Sequence, residues 1–264
     1  VSVEQSMGTD YQGDFVVRPD GTVAGDDGAS GALAAVLPYA GRLARRMGEL
    51  VEAGDLRMVQ AFGARLLTIS VTWTPAGEGT FRATTTPLEP RTDPAVVVGG
   101  ADTSLAVAHS VSRLRSLEGI VWSSVVTADS RVVAAAGERL DLQHLAEVGN
   151  RMLAVLRSLE DQHTNGFVKL RYEGGAMVGA SLGRHALVAL ATSAEDVALV
   201  PVIDEIRTIL AGHDVAAVTT VLDPGADVGA PVPAPAAVPP PVGARFGRSP
   251  KVERGPGRRR FGSR

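Results

Sequence analysis

The sequence predicts an α/β (α+β) fold built from two related units, each a five-stranded antiparallel sheet with a long crossover helix, followed by a Pro/Arg-rich tail. Three observations predict it. The stretches DFVVRPDGTVAGDDG, Asp14 to Gly28, and SSVVTADSRVVAAAG, Ser123 to Gly137, both read as two short Val-rich strands around a tight turn. Each is followed by one long amphipathic helix and three further runs of strand-forming residues, so the order of elements repeats. Past Asp223 the apolar periodicity stops, and nine of the sixteen prolines fall there.

The first unit spans 13–86. Its strands are expected near 14–18 and 22–25, joined at Pro19-Asp20-Gly21. Ser30 suits an N-cap, and Leu33, Val36, Leu37, Ala40, Leu43, Met47, Leu50 and Val51 recur at three- and four-residue steps until Gly54, which predicts a long helix. Strands follow near 56–62, 65–74 and 79–86. The segment 87–101, PLEPRTDPAVVVGGA, carries the Pro and Gly of a linker. The second unit, 102–213, is more complete. It adds a helix over 102–117, then strands near 119–127 and 131–136, a helix over 141–163, and strands near 166–172, 176–182 and 185–192. A closing helix is expected near 198–212, with Pro201 in its first turn, where the missing donor matters little. Laying Asp20 on Asp129 aligns Val17 with Val126, Val23 with Val132 and Gly28 with Gly137. The same shift pairs Arg42 with Arg151, Leu43 with Met152, Met47 with Leu156 and Leu50 with Leu159; beyond the helices the match slips and lays Gly63 on Gly174. The segment 223–264 cannot bury enough surface to offset ordering entropy and is expected to be disordered, with polyproline II character near Pro239 to Pro241.

Composition fits this organisation. A chain of 264 residues has room for one large or two modest domains. Aromatic residues make up only 4% against 45% hydrophobic residues, so Val, Leu and Ala must fill the core. No run of about 18 apolar residues occurs, and VSVEQSMGTDYQGD lacks a signal-peptide pattern, so a soluble, cytoplasmic protein is expected. Cysteine is absent, which removes disulfides, thiol nucleophiles and Cys-based zinc sites together. From Arg245 onward seven Arg and one Lys face only Glu253, a local charge of +7, so the formal −3 of the whole chain leaves −10 for residues 1–244. The bias of Arg over Lys, with Lys169 and Lys251 the only lysines, marks a GC-rich coding sequence and points to a bacterial origin.

The order helix, hairpin, long helix, three-strand meander and closing helix resembles the roadblock/dynein light chain family. The likeness is carried by SLEGIVWSSVVTADSRVVAAAG at Ser116 to Gly137, DLQHLAEVGNRMLAVLRSL at Asp141 to Leu159 and YEGGAMVGASLGRHALVALATS at Tyr172 to Ser193. Residues 13–86 resemble the same fold without its outer helices, although FRATTTP, Phe81 to Pro87, is more polar than the family pattern implies for a fifth strand. The resemblance implies domains that dimerise, with long helices pairing and sheets joining edge to edge, and that regulate or scaffold Ras-like GTPases, activators of bacterial polarity GTPases among them. Both units lie in one chain here, so an intramolecular pseudo-dimer is expected, with further homo-oligomers open. Its helix faces would be Leu37, Leu43, Ala44, Met47 and Leu50 against Leu145, Val148, Met152, Val155, Leu156 and Leu159.

No catalytic constellation can be assembled. His109, His144, His163, His185 and His213 include no pair at helical zinc spacing, and neither a phosphate-cradling loop nor a nucleophile elbow occurs. The expectation is therefore a non-enzyme without catalytic residues, metal or cofactor, whose partner is a small Ras-like GTPase and whose effect includes stimulation of GTP hydrolysis. Arg42, Arg45 and Arg46 on the first long helix and Arg151 and Arg157 on the second are the candidate contacts, since guanidinium forks suit acidic loops and phosphate. The alternative is a scaffold localised by its tail, in which Arg245, Phe246, Arg248, Arg258, Arg259, Arg260 and Phe261 interleave charge with aromatic rings and suit an acidic protein or an anionic surface. Nucleic acid is the weaker partner for that tail, because a body at −10 repels phosphate.

Overall fold

In the computed structural model, which describes residues 14–25, 30–89, 102–137, 141–163, 165–193 and 195–218, the strands of both predicted units join one sheet. The described residues belong to one compact unit, Val1–Ala226; the second unit, Asp227–Arg264, lies outside them, as do the predicted linker from residue 90 and the whole tail from 223. The order is β1 (Phe15–Val17), β2 (Val23–Gly25), α1 (Ser30–Leu50), β3 (Leu56–Phe62), β4 (Arg65–Trp73), β5 (Gly79–Pro87), α2 (Thr103–Arg115), β6 (Ile120–Val126), β7 (Val132–Gly137), α3 (Leu142–Glu160), β8 (Phe167–Tyr172), β9 (Ala176–Leu182), β10 (His185–Ala191) and α4 (Asp196–Leu210). A short 3-10 turn, Val215–Ala217, follows with Val215 buried, so packing continues past residue 213.

The two hairpins turn alike. Arg18 N donates to the Thr22 carbonyl and Thr127 N to that of Arg131, and the left-handed position is filled by Gly21 (φ 82°) in one and Ser130 (φ 70°) in the other. The match of Asp20 to Asp129 therefore holds at the turn. Both carboxyls are held below the usual range, Asp20 by the Thr22 hydroxyl and Asp129 by that of Thr127. At the far end of the hairpins the counterpart of Gly137 is Gly25 rather than Gly28, which lies outside the described residues. Gly137 (φ 144°) stands opposite Trp122 and Gly25 (φ 141°) opposite Phe15, and a Cβ on either would come within 2.8 Å of the facing aromatic residue. Only glycine fits there.

All strand pairs are antiparallel, and the order across the sheet is β2-β1-β5-β4-β3-β8-β9-β10-β6-β7. Exchanging β1–β5 with β6–β10 returns the same order. Where two five-stranded units were expected, the ten strands form one continuous sheet. The reason is the β3–β8 ladder, in which Val59 faces Leu170, Gln60 faces Lys169 and Phe62 faces Phe167. The two Phe rings stack at 4.3 Å, and Gly166 N donates to the Phe62 carbonyl at 2.5 Å. Further along, Tyr172 Oη donates to the Ala44 carbonyl of α1 at 2.7 Å, and burial pushes its phenol far up.

Helices α1 and α3 lie together on one face. They run antiparallel, for Leu50 and Val51 at the end of α1 line a cleft with His144, Leu145 and Val148 near the start of α3, whereas Leu37 and Ala40 meet Val155 and Leu159. The predicted apolar stripes are what they bury, with Leu43 and Leu50 half-buried at the margin. Burial shifts the match by one residue, since exposed Tyr39 and Arg46 then fall on Glu147 and Ala154 instead of buried Val148 and Val155. In the strands, laying Gly63 on Gly174 puts Leu67 on Val178, yet Leu67 packs under α1 and α3 while Val178 packs under α2 and α4. That match is off by an odd number, which in a strand reverses the face.

Helices α2 and α4 cover the opposite face of β6–β10, where Val125, Val178, Ala180, Leu187 and Ala189 meet Val107, Val111, Leu114, Leu199, Ile203 and Ile206. Beyond Leu66, which packs at the margin of that core, no helix among the described residues covers this face of β4 and β5, whose remaining outward positions are Thr68, Ser70, Thr72, Thr80, Arg82, Thr84 and Thr86. This accounts for the polar FRATTTP. Its inward residues Phe81 and Ala83 are buried as a core strand requires. Helix α4 begins at Asp196, so Pro201 is its sixth residue, beyond the first turn; helix α1 likewise contains Pro38.

Two stability outcomes follow. A Cβ at Gly149 of α3 would come within 2.6 to 2.7 Å of three atoms of the Val126 side chain, a stiff β-branched neighbour. Gly149→Ala should therefore lower the urea midpoint by an overpacking cost of about 1–3 kcal/mol that exceeds the ~1 kcal/mol gain in helix propensity, and adding Val126→Ala should restore part of it. Phe62→Ala should cost about 3–5 kcal/mol in equilibrium unfolding, because it removes half of the stacked pair that joins β3 to β8.

Candidate partner-binding surface

The exposed side of the α1–α3 layer carries the five arginines predicted as contacts, but the structure assigns them different work. Arg45 Nε donates to Asp55 Oδ1 at 2.9 Å, and its guanidinium lies 4.9 Å from the Trp73 ring centroid. Trp73 in turn donates Nε1–H to the Leu56 carbonyl at 2.8 Å and meets Phe81 edge-on. Arg45 is thus a clamp between the end of α1 and the β4–β5 hairpin. Arg151 is held by Glu147 one helical turn away at 2.5 Å. Arg157 reaches the Arg184 carbonyl at 3.4 Å, at the β9–β10 turn.

Arg42 and Arg46 are the exposed pair. Arg46 makes only a 3.4 Å ion pair with Glu49, both side chains more than half in solvent. For Arg42 the described residues supply neither hydrogen bond nor ion pair. On the same helical face, ahead of both, stands Tyr39, 49% exposed, a residue the sequence reading passed over. The available signal was an aromatic ring at a polar position of an amphipathic helix, three and seven residues before two arginines. Laid by burial, Tyr39, Arg42 and Arg46 correspond to Glu147, Asn150 and Ala154 of α3, so the stripe belongs to α1 alone. The tail residues Arg245, Phe246, Arg248, Arg258, Arg259, Arg260 and Phe261 lie outside the described residues.

Two polar clefts open elsewhere. One, of about 680 Å³, is lined by Lys169, Arg171, Glu173, Thr192, Glu195 and Asp196; Lys169 is buried and donates to Asp196 Oδ1 at 2.7 Å. The other, of about 370 Å³, is lined by Arg184, His185, Arg207, His213 and Asp214; burial holds His185 below the usual imidazole range. Among the described residues no cluster of three or more His, Asp or Glu is arranged to hold a metal ion, and no helix is long and apolar enough to cross a membrane.

The division of labour among the arginines is measurable. Arg45→Ala should lower stability by about 1 kcal/mol through lost ring contact and stem packing, whereas Arg42→Ala should stay within about 0.5 kcal/mol of wild type, both read from urea midpoints.

No family model matches the chain, and no curated protein matches it. Among solved structures, a Roadblock/LC7 domain from Streptomyces avermitilis is similar to it over 42% of this chain and 92% of that chain, at 18% identity and a TM-score of 0.32.

Proposed function

We propose that this chain is a tandem pair of roadblock-type units acting as a non-enzymatic regulator that binds a small Ras-like GTPase through the surface of its paired long helices, and that it stimulates GTP hydrolysis. One observation carries the reading: α1 and α3 pair on one face of a sheet continuous across β3–β8, which is the helix pairing and edge-to-edge joining that the resemblance implies for two such domains. The order of elements within each half, hairpin, long helix and three-strand meander, supports it. So does the exposed pair Arg42 and Arg46 on that surface, since guanidinium groups suit the acidic and phosphate-bearing loops of a nucleotide-binding partner.

The test is single-turnover GTP hydrolysis by purified small Ras-like GTPases from the same genome, with and without the full chain, alongside a direct binding measurement. A rise of about tenfold or more, equal to about 1.4 kcal/mol of barrier, is expected for the cognate GTPase. Binding with an unchanged rate would make the chain a scaffold, and no binding to any of them would remove the GTPase from the reading.

A further inference from the structure

We infer that Tyr39, Arg42 and Arg46 form a one-sided docking stripe on α1 for an acidic segment of a protein partner, one segment per chain; this rests on the reading of the α1–α3 layer as a partner surface and deepens it. The three side chains lie at helical spacings of three and four residues and so share one face. Tyr39 stands 49% exposed, and among the described residues the other exposed large apolar side chains are the aliphatic Val23, Leu105 and Val197; exposed Tyr beside Arg is the composition in which binding energy concentrates at interfaces. Ala32 and Ala35, both exposed, precede Tyr39 on the same stripe and leave one flank of its ring open.

Charge selects the occupant. Residues 1–244 sum to −10, so an acidic segment is repelled by most of this surface and attracted where cations stand unneutralised. Arg45 is neutralised by Asp55 and Arg151 by Glu147. Arg42 has no carboxylate partner among the described residues, and Arg46 shares only the solvent-exposed Glu49. The matching positions of α3, Glu147, Asn150 and Ala154, offer neither cation nor ring. An acidic segment with an apolar residue for the Tyr39 ring is therefore accommodated on α1 and refused on α3, which fixes both stoichiometry and orientation.

The probe is a random peptide library displayed on phage and selected on the immobilised full chain. Selected peptides should be rich in Asp and Glu with an apolar residue, should bind one per chain, and should weaken as salt rises from 50 to 300 mM, in line with screening of exposed charges over ~10 Å or less. Arg42→Glu with Arg46→Glu, and separately Tyr39→Ala, should each weaken them by at least about tenfold, while Arg82→Glu, exposed on the opposite face of the sheet, leaves them unchanged. Unchanged far-ultraviolet circular dichroism and urea midpoints identify these losses as losses of contact. Peptides without acidic enrichment, affinities indifferent to the α1 variants, two peptides per chain, or no selection at all would each overturn the stripe. Peptides that meet all these expectations on a chain that binds no GTPase would remove the GTPase and keep the stripe; a chain that binds a GTPase but selects no acidic peptide on α1 would keep the GTPase and remove the stripe.

Discussion

The ladder between β3 and β8 is the interaction on which the rest depends. Each strand would otherwise end its half of the sheet with a row of unsatisfied amides and carbonyls beneath a helix, where water reaches poorly. Pairing them satisfies both rows and fixes the distance between α1 and α3. The helices can then bury one another: Ala44, Met47, Met152 and Leu156 are wholly enclosed, which neither helix could achieve over a five-stranded sheet alone. Stacked Phe62 and Phe167 close the opposite side of the same ladder, so the joint is buried on both faces.

Once the joint is set, the faces differ by what covers them. Over β6–β10 the outer positions are mostly apolar, Val125, Val178, Ala180, Leu187 and Ala189 among them, because α2 and α4 lie on them; over β4 and β5, past Leu66, they are Thr, Ser and Arg because no described helix does. A β-branched hydroxyl residue keeps strand propensity while tolerating water, so Thr68, Thr72, Thr84 and Thr86 reconcile a long strand with an uncovered face. The inward positions Leu67, Ile69, Phe81 and Ala83 are as buried as any in the covered half.

Much of this was legible in the sequence. Period-two runs, turn residues and helical stripes located the described strands and α-helices within a few residues, though not the 3-10 turn at Val215–Ala217, and the repeated order of elements pointed to two halves. The joining of β3 to β8 was not readable, because an edge strand and a paired central strand have the same alternation; only the edge-to-edge arrangement implied by the resemblance pointed there. Exact correspondence between halves also escaped, since a helical stripe of small and large apolar residues matches itself at neighbouring shifts, as Arg42 on Arg151 illustrates. For the surface, the arginines were visible as charges but not as partners: nothing in the sequence says that Asp55 and Trp73 claim Arg45 while Arg42 is left to solvent. Tyr39 was hidden because a ring on an amphipathic helix is usually part of the core.

Because both strands of the β3–β8 joint belong to one chain, its closure is a first-order event. The joint does not come apart on dilution, as it would between separate subunits whose folded state depends on their concentration. Nor are the two sides obliged to remain alike, since a substitution in one half is not copied into the other. A chain built this way can hold a ring and two cations on α1 and a carboxylate at the matching place on α3, and so present to a partner a front and a back that a dimer of identical subunits has no means to distinguish.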